Sequence, residues 1–97
     1  MARYQIMYWH DIPTQVKAED DDGNTVKAML PDRFSQAIDA AAMAEGSTDS
    51  DAYLNGWDWS AAAERAGDAQ SVVDALVAEL DETFPQQRLS EMIRSRR

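Results

Sequence analysis

Between Arg3 and His10 the apolar positions fall on both sides of an extended chain, with Tyr4, Ile6 and Tyr8 on one and Met7 and Trp9 on the other. Aromatic and β-branched residues on both faces mark a strand that is covered on both sides, so the segment predicts a central strand. Asp11-Ile12-Pro13 predicts its end, because proline has no N–H to give to a ladder. From Gln15 to Glu19 the pattern becomes clean alternation, with Val16 and Ala18 set against Gln15, Lys17 and Glu19. Thr25 to Leu30 repeats it, with Val26, Ala28 and Leu30 set against Thr25, Lys27 and Met29. The intervening Asp20-Asp21-Asp22-Gly23-Asn24 is rich in residues that tolerate positive φ, and the pair predicts a hairpin with one solvated face.

The period then lengthens. Pro31-Asp32 supplies a helix start, with Asp32 the expected acceptor for first-turn amides. Phe34, Ile38, Ala41 and Ala42 form one buried stripe, and Ala37, Ala40 and Ala44 beside them let a helix approach a sheet closely. Gly46 predicts a left-handed end to this helix. After a polar loop from Ser47 to Asp51, residues Ala52 to Trp59 alternate with Tyr53, Asn55, Trp57 and Trp59 on one parity. That run predicts a fourth strand, in which Gly56 marks a bulge or a close backbone contact. Ser60 to Gly67, an alanine-rich stretch without an apolar stripe, predicts a loop with a helical turn. Asp68 caps a second helix through Thr83, with Val73, Leu76, Val77, Leu80 and Phe84 as its stripe and Pro85 as its stop.

The order is βββαβα, which predicts an α+β fold: a four-stranded, mainly antiparallel sheet with two helices on one face and the fourth strand beside the first. Residues 1–85 form the single domain and 86–97 a basic, flexible tail. Leu89, Met92, Ile93 and Arg96 recur there at helical spacing, but so short a helix is marginal on its own.

Charge sharpens that division. Residues 1–85 carry five basic groups against seventeen acidic ones, whereas 86–97 carry four arginines against Glu91, within a chain of net charge −9. An acidic body repels phosphate backbones, so nucleic-acid binding by the folded part is not expected. No apolar run approaches the roughly 20 residues of a spanning helix, and the first residues lack the basic and apolar regions of a secretory signal. A membrane role is likewise not expected, and a cytoplasmic location is. The absence of cysteine removes disulfides, thiolate nucleophiles and thiolate metal sites.

Chemistry-bearing residues are few. His10 beside Asp11 is the one place where acid–base work is easily imagined, yet neighbours on a regular strand point to opposite faces. The only histidine has no serine partner in a nucleophile-elbow pattern. The acidic hairpin tip has calcium-type ligands without the spacing of an EF-hand, and Asp49 and Asp51 are too isolated to argue a metal site. No metal or cofactor is predicted. Trp9, Trp57 and Trp59, with Tyr8 and Tyr53, are dense for a chain of 97 residues. They predict either a second minor core beneath Ser60–Gly67 or an exposed aromatic patch for recognition.

Three stretches, YQIMYWHDIPTQVK at 4–17, LPDRFSQAIDAAAM at 30–43 and DAYLNGWDW at 51–59, together resemble the small bacterial family named "virulence factor". The resemblance covers residues 4 to about 85 and leaves the tail outside. In that family similar modules occur alone, and also fused to HEAT-like helical repeats and an iron–sulfur-scaffold-like domain in a staphylococcal member, which implies an adaptor. Stand-alone members accompany folate- and corrinoid-dependent methyl-transfer enzymes, which implies an accessory role in one-carbon metabolism. The resemblance carries no catalytic residues. The expectation is a non-enzymatic module that holds a protein partner through Trp9, Asp11, Gln15, Lys17, Trp57 and Trp59. The alternative is a small-ligand-binding or enzymatic accessory subunit using His10 and Asp11.

Overall fold

Tyr4 to Trp9, in which only Gln5 has a strongly polar side chain, lies at the centre of a five-stranded sheet in the computed structural model, which describes residues 1–46 and 50–95. β1 (Ala2–Trp9), β2 (Ile12–Asp20) and β3 (Thr25–Met29) form an antiparallel meander in the order β3-β2-β1. On the far edge of β1 two short strands share the ladder, β4 (Trp57–Trp59) pairing with Met7–Trp9 and β5 (Ala63–Arg65) with Ala2–Tyr4. Ser60 joins them. Its amide donates to the Ile6 carbonyl at 2.8 Å and its hydroxyl accepts from the Ile6 amide at 2.9 Å, so the central strand stays satisfied across the gap.

Pro13 does not end a strand, as the sequence predicts, but lies inside β2. Met7 faces Gln15 while Tyr8 faces Pro13, which leaves Thr14 as the extra residue of a bulge. The bulge places proline where no amide is demanded. The β1–β2 connection is therefore a tight turn of His10 and Asp11, with His10 at φ +56°.

Two further elements depart from the predicted pattern. Residues 50–55 form a short helix, α2, and only Trp57–Trp59 is extended, so the predicted strand from Ala52 is corrected to a helix, a glycine and a three-residue strand. Ser60–Gly67 holds β5 rather than a helical turn: β1 offers an unpaired edge, and ladder hydrogen bonds override the helical preference of alanine. The sheet has five strands and the chain four helices among the described residues, against four and two predicted.

α1 (Asp32–Glu45) and α3 (Ala69–Thr83) cover the face that carries Tyr4, Ile6, Val16, Ala18, Val26 and Ala28. Phe34, Ile38, Ala41 and Ala42 of α1, and Val72, Val73, Leu76 and Leu80 of α3, are buried, as the 3.6-residue period requires. Each large side chain so enclosed contributes about 1.5–3 kcal/mol. Gly46 ends α1 at φ +78°, and Asp68 accepts from the Ser71 amide at the start of α3. Asp32 makes no cap; Pro31 holds that position without a side-chain hydrogen bond.

The C-terminal end of α3 is held from both sides. Arg33 donates to the Asp81 and Phe84 carbonyls and pairs with the Asp81 carboxylate, while Arg88 donates to the Thr83 carbonyl at 2.8 Å. Cations suit this negative end of the helix. The expected flexible tail is instead α4 (Gln86–Arg94), packed on α1 with Leu89 fully buried. Tertiary packing stabilises a helix too short to persist by itself. Arg96 lies outside the described residues.

Candidate functional site: the helix-free face of the sheet

Among the described residues, α1 and α3 leave the second sheet face uncovered. Across β1, β2 and β3 its residues lie in three rows: Arg3, Glu19 and Thr25; Gln5, Lys17 and Lys27; Met7, Gln15 and Met29. Trp59 of β4 lies beside Met7, and Glu64 of β5 beside Arg3. The Lys17 ammonium sits 4.2 Å above the Trp59 ring, a cation–π contact that fixes both side chains. Met29 is 63% exposed. A groove of about 440 Å³ runs over the same face, lined in part by Arg3, Gln5, Lys17, Lys27 and Ala62.

Of the residues singled out from sequence, this face brings together Gln15, Lys17 and Trp59. Trp9 is elsewhere and is corrected as a contact residue: it is 0% exposed, its indole N–H donates to the Tyr53 carbonyl at 2.8 Å, and its ring packs on Gly56. Trp57 is half-buried, edge-on to Tyr53 at 5.9 Å. Trp9 therefore belongs to the main hydrophobic core, with Tyr53 of α2 and Trp57 packed against it, and not to a separate core beneath Ser60–Gly67. The Tyr53 hydroxyl is held above the usual phenol range by burial and then by the Asp39 carboxylate to which it hydrogen-bonds.

His10 and Asp11 occupy the β1–β2 turn, both exposed, with the His10 ring edge-on to Trp9 at 4.4 Å. They are turn neighbours rather than residues on opposite faces of a strand, and the sheet-face groove does not include them.

The acidic hairpin tip has a structural task. Asp20 accepts from the amides of Asp22 and Asn24 at 3.0 Å each and from the Ala69 amide at 3.2 Å, and these backbone donors, Ala69 first, hold its carboxyl below the usual range. Asp51 is exposed in α2, and Asp49 lies outside the described residues. Among the described residues no cluster of three or more histidine, aspartate or glutamate side chains could hold a metal, and no helix is long and apolar enough to cross a membrane.

Sequence reasoning missed Lys27, Met7, Met29, Gln5 and Arg3 as members of the site. The signal was present in the alternation itself, which assigns Lys17 and Lys27, the only two lysines, to the polar side of adjacent strands.

A helix-backed antiparallel sheet with one bare face of mixed charged and apolar residues defines a small α+β module. The chain belongs to the virulence factor family, whose model matches residues 7–93. That match runs into α4, so the last helix lies within the family's extent and not outside it as expected. No curated protein and no solved structure matches the chain.

Proposed function

We propose that this chain is a non-enzymatic, protein-binding accessory module of the cytoplasm, and that its docking surface is the helix-free face of the sheet. The observation that carries the reading is the Trp59–Lys17 contact beside Met7, Gln15 and Met29. Long apolar side chains and a half-buried indole stand on a rigid ladder, the combination of pre-organised aromatic anchor and polar surround on which protein interfaces depend. Asp11, at the far end of the same sheet, is left at the margin of such a surface.

The test is purification from the native host with crosslinking. Wild-type chain is expected to retain one stoichiometric partner, and Trp59→Ala or Met29→Asp to lose it while the fold persists. Retention of the same partner by both variants would reject the sheet face as the docking surface.

A second reading, a small-ligand-binding accessory subunit such as one serving one-carbon metabolism, has the groove on the same face in its favour. A small molecule that co-purifies with wild-type chain and with Trp59→Ala alike, without any partner protein, would favour it. The enzymatic form of that reading requires a phenotype for His10→Ala.

A further inference from the structure

Lys17 and Lys27 are direct cross-strand partners on the bare face. Like charges in that relation destabilise a sheet. Neither lysine forms an ion pair among the described residues, although the chain carries eighteen acidic side chains. The nearest carboxylates on the face belong to the adjoining row, where Glu19 lies 3.8 Å from Arg3 and Glu64 stands on the other side of that arginine. The arginine is thus bracketed by carboxylates, while neither lysine ammonium is paired with one among the described residues: Lys17 rests on the Trp59 ring and Lys27 is exposed. Gln5 completes their row, its amide nitrogen held by the Ser60 carbonyl at 2.9 Å.

We infer that Lys17 and Lys27 form a subsite for the carboxylate side chains of an acidic segment of the partner protein, an inference that rests on the docking-face reading above. Charge complementarity selects the occupant. Two adjacent cations set in a body of strongly negative charge attract a local pair of carboxylates. The acidic body around them repels a polymer of phosphates or an anionic membrane, which would bring many further negative charges against it. A second copy of the chain laid face to face would oppose lysine to lysine. The row directly beside the lysines, in which Trp59, Met7 and Met29 flank Gln15, adds that the acidic residues of the occupant are flanked by aliphatic or aromatic ones.

The probe is a defined peptide, acetyl-EELLEE-amide, titrated into the full isotopically labelled chain, with acetyl-QQLLQQ-amide and inorganic phosphate titrated in parallel. The acidic peptide is expected to bind about tenfold more tightly than the glutamine peptide, with amide shifts along Gln15–Glu19 and Thr25–Met29, and more weakly as salt is raised. Lys27→Gln, at an exposed position where the fold tolerates it, is expected to remove most of that preference. Equal binding of the two peptides, no binding of either, an unchanged preference in Lys27→Gln, or displacement by phosphate at the peptide's own concentration would each overturn the inference. The two proposals fail separately. A native partner lost on Trp59→Ala but kept on Lys27→Gln leaves the docking face standing without the carboxylate subsite.

Discussion

The Asp20 carboxylate accepts the backbone amide of Ala69 at 3.2 Å, so the tip of the β2–β3 hairpin caps the first turn of α3. One side chain therefore closes its own turn and satisfies a helix amide forty-nine residues away. Its carboxyl is held below the ordinary aspartate range, as is that of Asp68 through the Ser71 amide, and the Glu79 carboxyl is held below the ordinary glutamate range through Arg65. A depressed carboxyl stabilises the fold fully above the unfolded value, and the contribution disappears as pH falls through the folded value. Asp20→Ala is expected to lower Tm by roughly a few degrees at neutral pH, and to converge with wild type in melts at strongly acidic pH. A constant difference across the whole pH range would contradict the assignment.

Gly56 is required by the Trp9 ring. A Cβ there would lie 2.4 Å from the indole nitrogen and 2.8 Å from two ring carbons, and the ring is pinned by its hydrogen bond to Tyr53. Gly56→Ala is expected to cost about 1–3 kcal/mol in denaturant unfolding, the range for overpacking a tight core. Trp9→Phe in the same chain should recover part of that loss, and a strictly additive double variant would count against the clash.

His10 sits in the left-handed region at φ +56°, where a non-glycine residue is uncommon. His10→Val is expected to lose about 1–2 kcal/mol, because a β-branched side chain suits that conformation least. His10→Gly should stay within about 1 kcal/mol of wild type: relief of strain is offset by greater freedom of the unfolded chain and by loss of the edge contact with Trp9. Urea unfolding of the two variants checks both, and a neutral valine would remove the case for strain.

Lys27→Glu replaces a like-charge cross-strand pair by an opposite one. Stability is expected to rise by about 0.5–1 kcal/mol at low salt, discounted for exposure, and the gain to shrink at high salt. Thermal melts at two ionic strengths read it directly, and a salt-independent gain would point to something other than charge.

The parts of the fold visible in the sequence are those whose periodicity is matched by burial. Val16, Ala18, Phe34, Ile38, Val73, Leu76 and Leu80 carry their period into the core, and their elements lie where the pattern predicts them. What escaped was decided by partners distant in sequence. β5 exists because β1 has an edge to fill, α4 because Leu89 finds α1, and α2 replaces a strand where Tyr53 folds back over Trp9. For the site, strand parity placed Gln15, Lys17 and Trp59 on one surface, but parity alone could not show that Trp9 is enclosed at the strand end.

Ser60 converts two three-residue strands into one continuous border along β1. Its value extends beyond the hydrogen bonds it supplies. Tyr4 to Trp9 has the composition of a segment able to recruit copies of itself, since it is largely apolar, β-prone and without a charged residue. Both of its margins are occupied only while residues 57–65 stay in place. Damage to that joint would therefore be felt first as self-association in concentrated solution, ahead of any measurable loss of helix.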